Sequence, residues 1–245
     1  MKWSGEYTVN ANDTDCNGVA SASAILRYMQ DAANREMAHD GPSFTELIER
    51  GLTFVLSRIR LSCYAPLYSH DNFTVETWAC ESKGVQFERC YRILRDGAII
   101  AEAVSVWALC GMTDRRLHRV SEIEVNYCMD DMLELDQPTR IRIPEEAELS
   151  LKGERVVEYA DIDLNMHMNN THYPDILCSY LGTSMAGERV ISMAISFVGE
   201  APLGDSIKYY SGSVDGVYYV RSVRSDGKTN VDAEIILEPV EQFCP

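Results

Sequence analysis

The chain has 245 residues, 46% of them hydrophobic, so it is long enough to bury a sizeable core as one domain or as two. Its 38 acidic and 22 basic residues give a formal net charge of −16, which argues against a nucleic-acid partner. No apolar run approaches the ~18 residues of a membrane span, and the first residues lack an apolar signal core. Eight cysteines without C-x-x-C spacing are typical of reduced, structural thiols. We therefore expect a cytoplasmic protein with no membrane and no nucleic-acid partner.

One motif occurs twice in the chain, 148 residues apart. The first copy is Asp13-Thr14-Asp15-Cys16-Asn17-Gly18, and the second is Asp161-Ile162-Asp163-Leu164-Asn165-Met166-His167. Two further matches follow in the same order: Ala65-Pro66-Leu67 with Ala201-Pro202-Leu203, and Asp96-Gly97 with Asp226-Gly227. Because chance matches would not stay colinear, the pattern predicts a duplicated domain and not an array of short repeats.

The first half begins with a strand and one helix and continues with further strands. Apolar residues recur at helical spacing over residues 25–33, and His39-Asp40-Gly41-Pro42 is a strong stop signal. The period then changes to two, which predicts a meander of antiparallel strands. The alternating residues are Val55, Ile59 and Leu61; Phe73, Val75 and Thr77; Phe87, Tyr91 and Ile93; and Ile100, Val104 and Val106. Asp96-Gly97 between the last two runs suits a tight hairpin turn with positive φ.

The second half repeats this plan. Charged residues in 130–134, followed by Pro138 and Pro144, interrupt the strand pattern and indicate a connection. We predict an N-terminal domain at residues 1–135, a linker at 136–148 and a C-terminal domain at 149–245. The last should contain a helix around residues 173–181 and strands around 191–197, 217–219 and 231–237. One long helix per half against a mostly antiparallel sheet is an α+β arrangement, and joining the two sheets edge to edge would protect exposed strand edges.

Neither copy of the motif predicts a metal site. The first begins like a calcium-binding loop, but Ala24 stands at the twelfth position, where a bidentate glutamate is required. In the second copy Met166 takes the glycine position and His172 the twelfth. His167 and His172 also lack the spacing of two zinc ligands on one helical face, and no third ligand is evident in the sequence. We expect neither a metal nor a cofactor.

The second copy is suited to acid/base chemistry. Asp163, Asn165 and His167 precede the predicted helix, where unpaired backbone N–H groups can stabilise an oxyanion. The histidine and asparagine can donate hydrogen bonds to substrate or water, and the carboxylate can orient them. The first copy has Val19 in place of His167, so its groove could bind a ligand but hardly catalyse. Taken singly, these residues are equally well explained as caps, turn formers and a partly buried histidine.

Glu200 favours the catalytic interpretation. It follows the apolar strand residues 195–199, and the repeated Ala-Pro-Leu sequence matches it with Tyr64 in the first half. Burial at the end of such a strand would raise the proton affinity of the carboxylate, as suits a general base.

At these residues the chain resembles the acyl-ACP thioesterases, a family of plant plastid and bacterial enzymes built from two tandem hot-dog domains. The family motif D-x-N-x-H-x-N-N and its downstream glutamate are matched by Asp163, Asn165, His167, Asn169, Asn170 and Glu200. Phe54-Val55-Leu56-Ser57-Arg58 and Val104-Ser105-Val106-Trp107 resemble signatures of the first domain. One departure is Ala201, where plant members often carry a cysteine, so we do not expect a cysteine-based triad.

The resemblance implies hydrolysis of a fatty acyl-ACP thioester by water, with Asp163, Asn165, His167 and Glu200 as catalytic residues. Glu200 would activate the water, His167 and Asn165 would hold the water or the thioester oxygen, and Asp163 would orient the site. The division of the base role between Asp163 and Glu200 stays open. By analogy, the acyl chain would enter a tunnel in the first domain, and phosphopantetheine would enter between the halves.

The expected partner is an acidic acyl carrier protein. Its docking requires a local basic patch, and the densest basic run is Arg115, Arg116, His118 and Arg119, which could equally be a solvated loop. A homodimer is a further option, although the tandem halves already supply the pairing of single hot-dog domains.

Three alternatives remain open. An acyl-CoA thioesterase would use the same chemistry on a different carrier. A non-catalytic acyl-binding or sensing domain would be expected to lose the polar site in both halves, whereas here one half keeps it. A hydratase or dehydratase would also pair histidine with a carboxylate, but the family motifs argue against it.

Overall fold

The computed structural model describes residues 2–80, 82–125, 133, 135 and 138–240. Its helices are α1 (Ala22–Asp40), α2 (Phe44–Glu49) and α3 (Tyr173–Ser179). Its strands are β1 (Trp3–Thr8), β2 (Leu52–Cys63), β3 (Asn72–Ala79), β4 (Phe87–Arg95), β5 (Ala98–Gly111), β6 (Leu117–His118), β7 (Ser150–Val156), β8 (Glu188–Phe197), β9 (Ser206–Val214), β10 (Val217–Val223) and β11 (Thr229–Pro239). All belong to one sheet in the order β1-β3-β4-β5-β2-β8-β11-β10-β9-β7, with β6 beside β5. The predicted α+β arrangement is confirmed.

Helix α1 covers the sheet of the first half. The Ser21 side chain caps its N-terminus by accepting a hydrogen bond from the Ala24 N–H, and the helix ends at Asp40 with Gly41 as its C-cap. Its buried face includes Met29 and Ala32, as the 3.6-residue period predicts, and packs into one core cluster with residues of both halves.

The hairpin between β4 and β5 has the predicted turn. Asp96 and Gly97 both have positive φ, 52° and 79°, which are the values of a type I′ turn matching the twist of the flanking strands. Strands β3, β4 and β5 form the expected meander, but β2 does not join it in sequence order. Strand β2 lies on the opposite side of β5 from β4, because residues 64–71 carry the chain across the sheet of the first half before β3 begins.

The two halves are related by an approximate two-fold axis through the sheet. Strand β2 pairs antiparallel with β8, and the centre of that pairing is Arg60 opposite Ala194. Equivalent positions of β2 and β8 are 134 residues apart, since Cys63 and Phe197 end the two strands. Arg60 and Ala194 are themselves equivalent, so the same strand position meets itself across the axis, as in an isologous dimer interface.

The second half is a shortened copy. The expected long helix is only seven residues, α3, because the chain turns at Gly182 with φ of 81° and Tyr180 leaves the helix to stack on Tyr209 at 4.2 Å between ring centroids. Strands β6 and β9 and helix α2 are additional to the predicted elements. Residues 126–132, 134, 136–137 and 241–245 lie outside the described residues, and with them part of the predicted linker, Cys128 and Cys244.

Asn17 of the first motif copy joins the two halves. It is 1% exposed; its Nδ2 donates to the carbonyls of Met185 and Glu188 at 2.9 and 2.8 Å, and its Oδ1 accepts from the Gly187 N–H at 2.7 Å. These bonds satisfy three backbone groups of the segment that leads into β8. The first copy of the motif therefore has a structural role.

We expect Asn17→Ala to lower the free energy of unfolding by about 2–4 kcal/mol, because three part-buried backbone groups lose their buried partner. Urea unfolding followed by far-UV circular dichroism measures this. The matched control is Asn12→Ala, an exposed asparagine for which we expect a change within about 0.5 kcal/mol. Equal effects of the two substitutions would contradict the structural role.

Candidate active site

The second copy of the motif forms a tight turn. The Asp163 Oδ1 accepts from the Asn165 N–H at 2.8 Å, its carbonyl accepts from the Met166 N–H at 3.0 Å, and its own N–H donates to the His167 carbonyl at 3.1 Å. Met166 has φ of 62°, where the first copy has Gly18 at 74°. A side chain in this left-handed conformation costs roughly 1 kcal/mol, a strain typical of functional sites. The turn holds the Asn165 side chain out towards solvent.

The expected oxyanion site at a helix entrance stays a prediction. Helix α3 begins six residues after His167, and two of the intervening N–H groups are used within the protein: that of Met168 donates to the Ala201 carbonyl and that of Asn169 to the Asp161 carbonyl. The side chains of Asn165 and His167 can also donate hydrogen bonds to a substrate oxygen.

His167 and Glu200 are brought together. The His167 Nε2 lies 3.2 Å from the Glu200 Oε2, and the backbone around His167 bridges to Pro202 just beyond the glutamate. Asp163 and Asn165 are linked to this pair through the backbone of the turn. The structure therefore places all four predicted residues on two adjoining loops of the second half.

Arg115 completes the pair and was not singled out for this role by sequence. Its Nη1 donates to the Glu200 Oε1 at 2.6 Å, so the carboxylate bridges Arg115 and His167. Arg115 comes from the loop between β5 and β6 in the first half and has φ of 56°. The prediction assigned it to a basic run, because the contact spans 85 residues of sequence and leaves no local signal.

Glu200 is more exposed than its position after an apolar strand led us to expect. Its side chain is 40% exposed and that of Arg115 is 54% exposed, since the strand before it ends at Phe197 and the following residues reach the surface. The Glu200 carboxylate therefore contacts the side chains of Arg115 and His167 and also remains in contact with solvent.

The first-half counterpart of Glu200 is Pro66, and the match with Tyr64 is wrong. Val19 bridges to Tyr68 as His167 bridges to Pro202, which keeps the spacing of 134 residues seen in β2 and β8. The Ala-Pro-Leu sequences are therefore offset by two positions in space. Neither Val19 nor Pro66 has an ionisable side chain, so the first copy lacks the acid/base pair.

A cavity of about 260 Å³ opens beside the turn. Its walls are the C-terminal half of α1, the start of β2 and parts of β4 and β5 from the first half, closed by residues of the second motif copy. Asp163 and Asn165 line it, whereas His167 and Glu200 lie outside its lining. Apolar contacts come from residues such as Phe54, Phe87 and Trp107.

The described cysteines are free and mostly buried. Burial raises the pKa of the Cys110 thiol, which lies on β5. The positive charge of Arg115 opposes this rise, and the negative charge of Glu200 adds to it. Burial raises the pKa of Cys178 to about 12. Thiols held protonated in this way are poor nucleophiles.

In the described part of the chain, no cluster of three or more His, Cys, Asp or Glu residues is arranged to hold a metal ion. Among the same residues, no helix is both long enough and apolar enough to cross a membrane.

The fold and the site define a tandem hot-dog protein in which the second half contributes the acid/base pair, His167 and Glu200. Residues 1–127 match the acyl-ACP thioesterase N-terminal domain and residues 144–239 match the acyl-ACP thioesterase C-terminal domain. The chain belongs to the acyl-ACP thioesterase family.

Among curated relatives, oleoyl-acyl carrier protein thioesterase 2 of Arabidopsis thaliana is 31% identical over 192 residues, which are 69% of this chain and 51% of that protein. The palmitoyl-acyl carrier protein thioesterase of Cuphea hookeriana is 22% identical over 181 residues, covering 68% of this chain and 44% of that protein. Both are chloroplastic, and the chain matches about half of their length.

Two solved structures share the fold over nearly the whole chain. An acyl-ACP thioesterase from Bacteroides thetaiotaomicron has a TM-score of 0.87 at 20% identity, with 97% of this chain and 98% of that one covered. The 12:0-ACP thioesterase from Umbellularia californica has a TM-score of 0.78 at 17% identity, with 98% of each chain covered. At these identities the similarity establishes the fold.

We expect Glu200→Gln to change the free energy of unfolding by less than about 1 kcal/mol. The Glu200 carboxylate that Arg115 and His167 contact is partly exposed, and ion pairs exposed to solvent contribute little to stability. Thermal and urea unfolding measure this. Asp161→Ala is the contrasting variant: Asp161 is 6% exposed and accepts from Arg155 at 2.7 Å, so its loss should cost roughly 3 kcal/mol. Unfolding of the Glu200→Gln protein under native conditions would contradict the expectation.

Proposed function

We propose that this protein hydrolyses the thioester of a fatty acyl-acyl carrier protein and releases the free fatty acid and the carrier. The observation that carries the proposal is the contact between His167 and Glu200, on loops that adjoin a cavity at the junction of the two halves. The chain's relatives named as oleoyl- and palmitoyl-acyl carrier protein thioesterases support the same reaction.

Hydrolysis requires a water oxygen to add to the thioester carbonyl carbon while the water loses a proton. Glu200 would accept that proton, and Asn165 and His167 would donate hydrogen bonds to the carbonyl oxygen as negative charge develops on it. When the C–S bond breaks, the proton passes to the thiolate sulfur. The products are a carboxylic acid and a thiol, with one water consumed.

Glu200 is a better candidate for the base than Asp163. The Asp163 carboxylate accepts a hydrogen bond within its own turn, from Asn165, and so orients that residue. Glu200 contacts His167 directly. We therefore assign the base role to Glu200 and the orienting role to Asp163.

The acyl chain would occupy the cavity, whose walls come mainly from the first half. This supports a division of labour in which residues 1–135 form a domain with the acyl pocket, 136–148 a linker, and 149–245 a domain with the catalytic residues. A cytoplasmic location and a homodimer also remain proposals, the second testable by sedimentation equilibrium.

The expected carrier patch is smaller than the sequence predicts. Arg115 binds Glu200, and His118 pairs with Glu122 at 2.8 Å. Arg116, beside Arg115 on the loop between β5 and β6, and Arg119, which directly follows β6, remain, and both are exposed. Basic residues on the same short segment as Arg115, which binds Glu200, suit an acidic carrier whose phosphopantetheine must reach the catalytic residues.

We expect Glu200→Gln to lower kcat by at least about 100-fold, because an amide cannot accept the proton of the water. Thiol release from acyl-ACP and acyl-CoA substrates of increasing chain length measures this and identifies the carrier. Glu146→Gln, at an exposed position of the linker, is the matched control and should keep full turnover. Activity of Glu200→Gln within a few-fold of wild type would remove Glu200 from the base role.

Arg115→Met should lower kcat about tenfold with little change in KM on a small acyl-pantetheine substrate, because the carboxylate loses the partner that holds it against His167. Arg115→Lys should recover part of the loss. An unchanged kcat would show that the contact has no catalytic role.

Reversing both Arg116 and Arg119 to Glu should raise KM for acyl-ACP about tenfold and leave acyl-pantetheine kinetics unchanged, because only the carrier senses the patch. The matched control reverses Lys152 and Lys208, exposed on β7 and β9 away from the site. If both double variants raise KM equally, the effect comes from net charge and the patch is not the docking site.

A further inference from the structure

The acyl cavity contains buried polar groups that a plain hydrocarbon chain would leave unpaired. The Nε2 of Gln30, on α1, and the Oγ1 of Thr53, on β2, have no hydrogen-bond partner among the described residues, and both residues line the cavity. Thr53 is only 4% exposed. Buried donors and acceptors nearly always have a partner, so each such exception calls for an explanation.

The same cavity has a buried ion pair in its wall. Glu36 is 4% exposed and its Oε2 accepts from the Arg89 Nη2 at 2.8 Å. A second nitrogen of Arg89 donates to the Thr77 hydroxyl at 3.2 Å, which fixes the guanidinium. The lining of the cavity therefore combines charged and polar groups with the apolar side chains of Phe54, Phe87 and Trp107.

We propose that this cavity selects acyl chains that carry a hydroxyl group, which Thr53 and Gln30 recognise by hydrogen bonds. This rests on the proposed thioesterase function and specifies its substrate class. The amide nitrogen of Gln30 can only donate, so it requires an acceptor on the ligand, and the Thr53 hydroxyl can donate or accept.

The charges of the lining favour a hydroxyl over a carboxylate as the substituent. The described lining has four acidic residues, Glu36, Asp40, Glu88 and Asp163, and one basic residue, Arg89, whose charge is already paired with Glu36. A second carboxylate on the acyl chain would meet repulsion. A hydroxyl avoids that cost and can accept from Gln30 and Thr53.

The test compares acyl-ACP substrates of one chain length that are plain or carry a single hydroxyl at successive carbons. Wild-type protein should hydrolyse at least one hydroxylated isomer with kcat/KM about tenfold or more above the plain chain, because a site built for a hydroxyl discriminates against the analogue that lacks it. Thr53→Val and, independently, Gln30→Met should reduce that ratio towards one. Thr74→Val, on β3 and outside the cavity lining, is the matched control and should keep the ratio.

Binding of the free plain and hydroxylated acids, followed by tryptophan fluorescence, to which Trp107 of the cavity lining contributes, separates this inference from the proposed function. Tighter binding of a hydroxylated acid that Thr53→Val abolishes would support the inference even without thiol release. Hydrolysis with no hydroxylated isomer preferred would mean that water alone pairs these groups, and would overturn the inference while the thioesterase function stands. A preference unchanged in Thr53→Val and in Gln30→Met would also overturn it. Circular dichroism verifies that the variants fold.

Discussion

The antiparallel pairing of β2 with β8 joins the two halves and positions every loop of the candidate site. It turns two half-sheets into one and removes two open edges that would otherwise promote association with other chains. Because the pairing is centred on Arg60 and Ala194, it also sets where each half presents its loops to the other. The second motif copy thereby reaches the mouth of a cavity built by the first half, and a loop of the first half reaches Glu200.

The two copies of the motif show how one local structure serves two purposes. In both copies an aspartate accepts a hydrogen bond from the N–H two residues on, Asn17 in the first and Asn165 in the second. Asn17 is buried and satisfies backbone groups of the other half, whereas Asn165 is exposed and lines the cavity. The turn is conserved between the copies because its geometry is local, and the use of the side chain differs because the surroundings differ.

Charge placement in the site is divided between the halves. Glu200 and His167 are contributed by the second half, but the cation that holds the carboxylate, Arg115, is contributed by the first. Neither half alone contains this three-residue arrangement. Because the two halves are parts of one chain, they can differ in sequence, and the first half has Val19 and Pro66 where the second half has the acid/base pair.

Local patterns were sufficient for much of the fold. The alternation in β3, β4, β5 and β8, the helical period of α1 and the Asp96-Gly97 turn are set by neighbouring residues, so the sequence reveals them. The duplication was visible for the same reason, since the motif keeps its spacing from its own strand and helix. The length of α3 was not visible in the sequence, because Tyr180 leaves the helix to stack on Tyr209 of the distant strand β9.

The class of fold, the duplication and the residue types of the motif depend on period and order along the chain, so they can be derived from the amino-acid sequence. The exposure of Glu200, its correspondence with Pro66, its contact with Arg115 and the presence of Thr53 and Gln30 in one cavity lining became evident only in three dimensions. These features arise from contacts between segments far apart in the chain, where strand pairing and sheet twist, and not local propensity, decide which side chains meet.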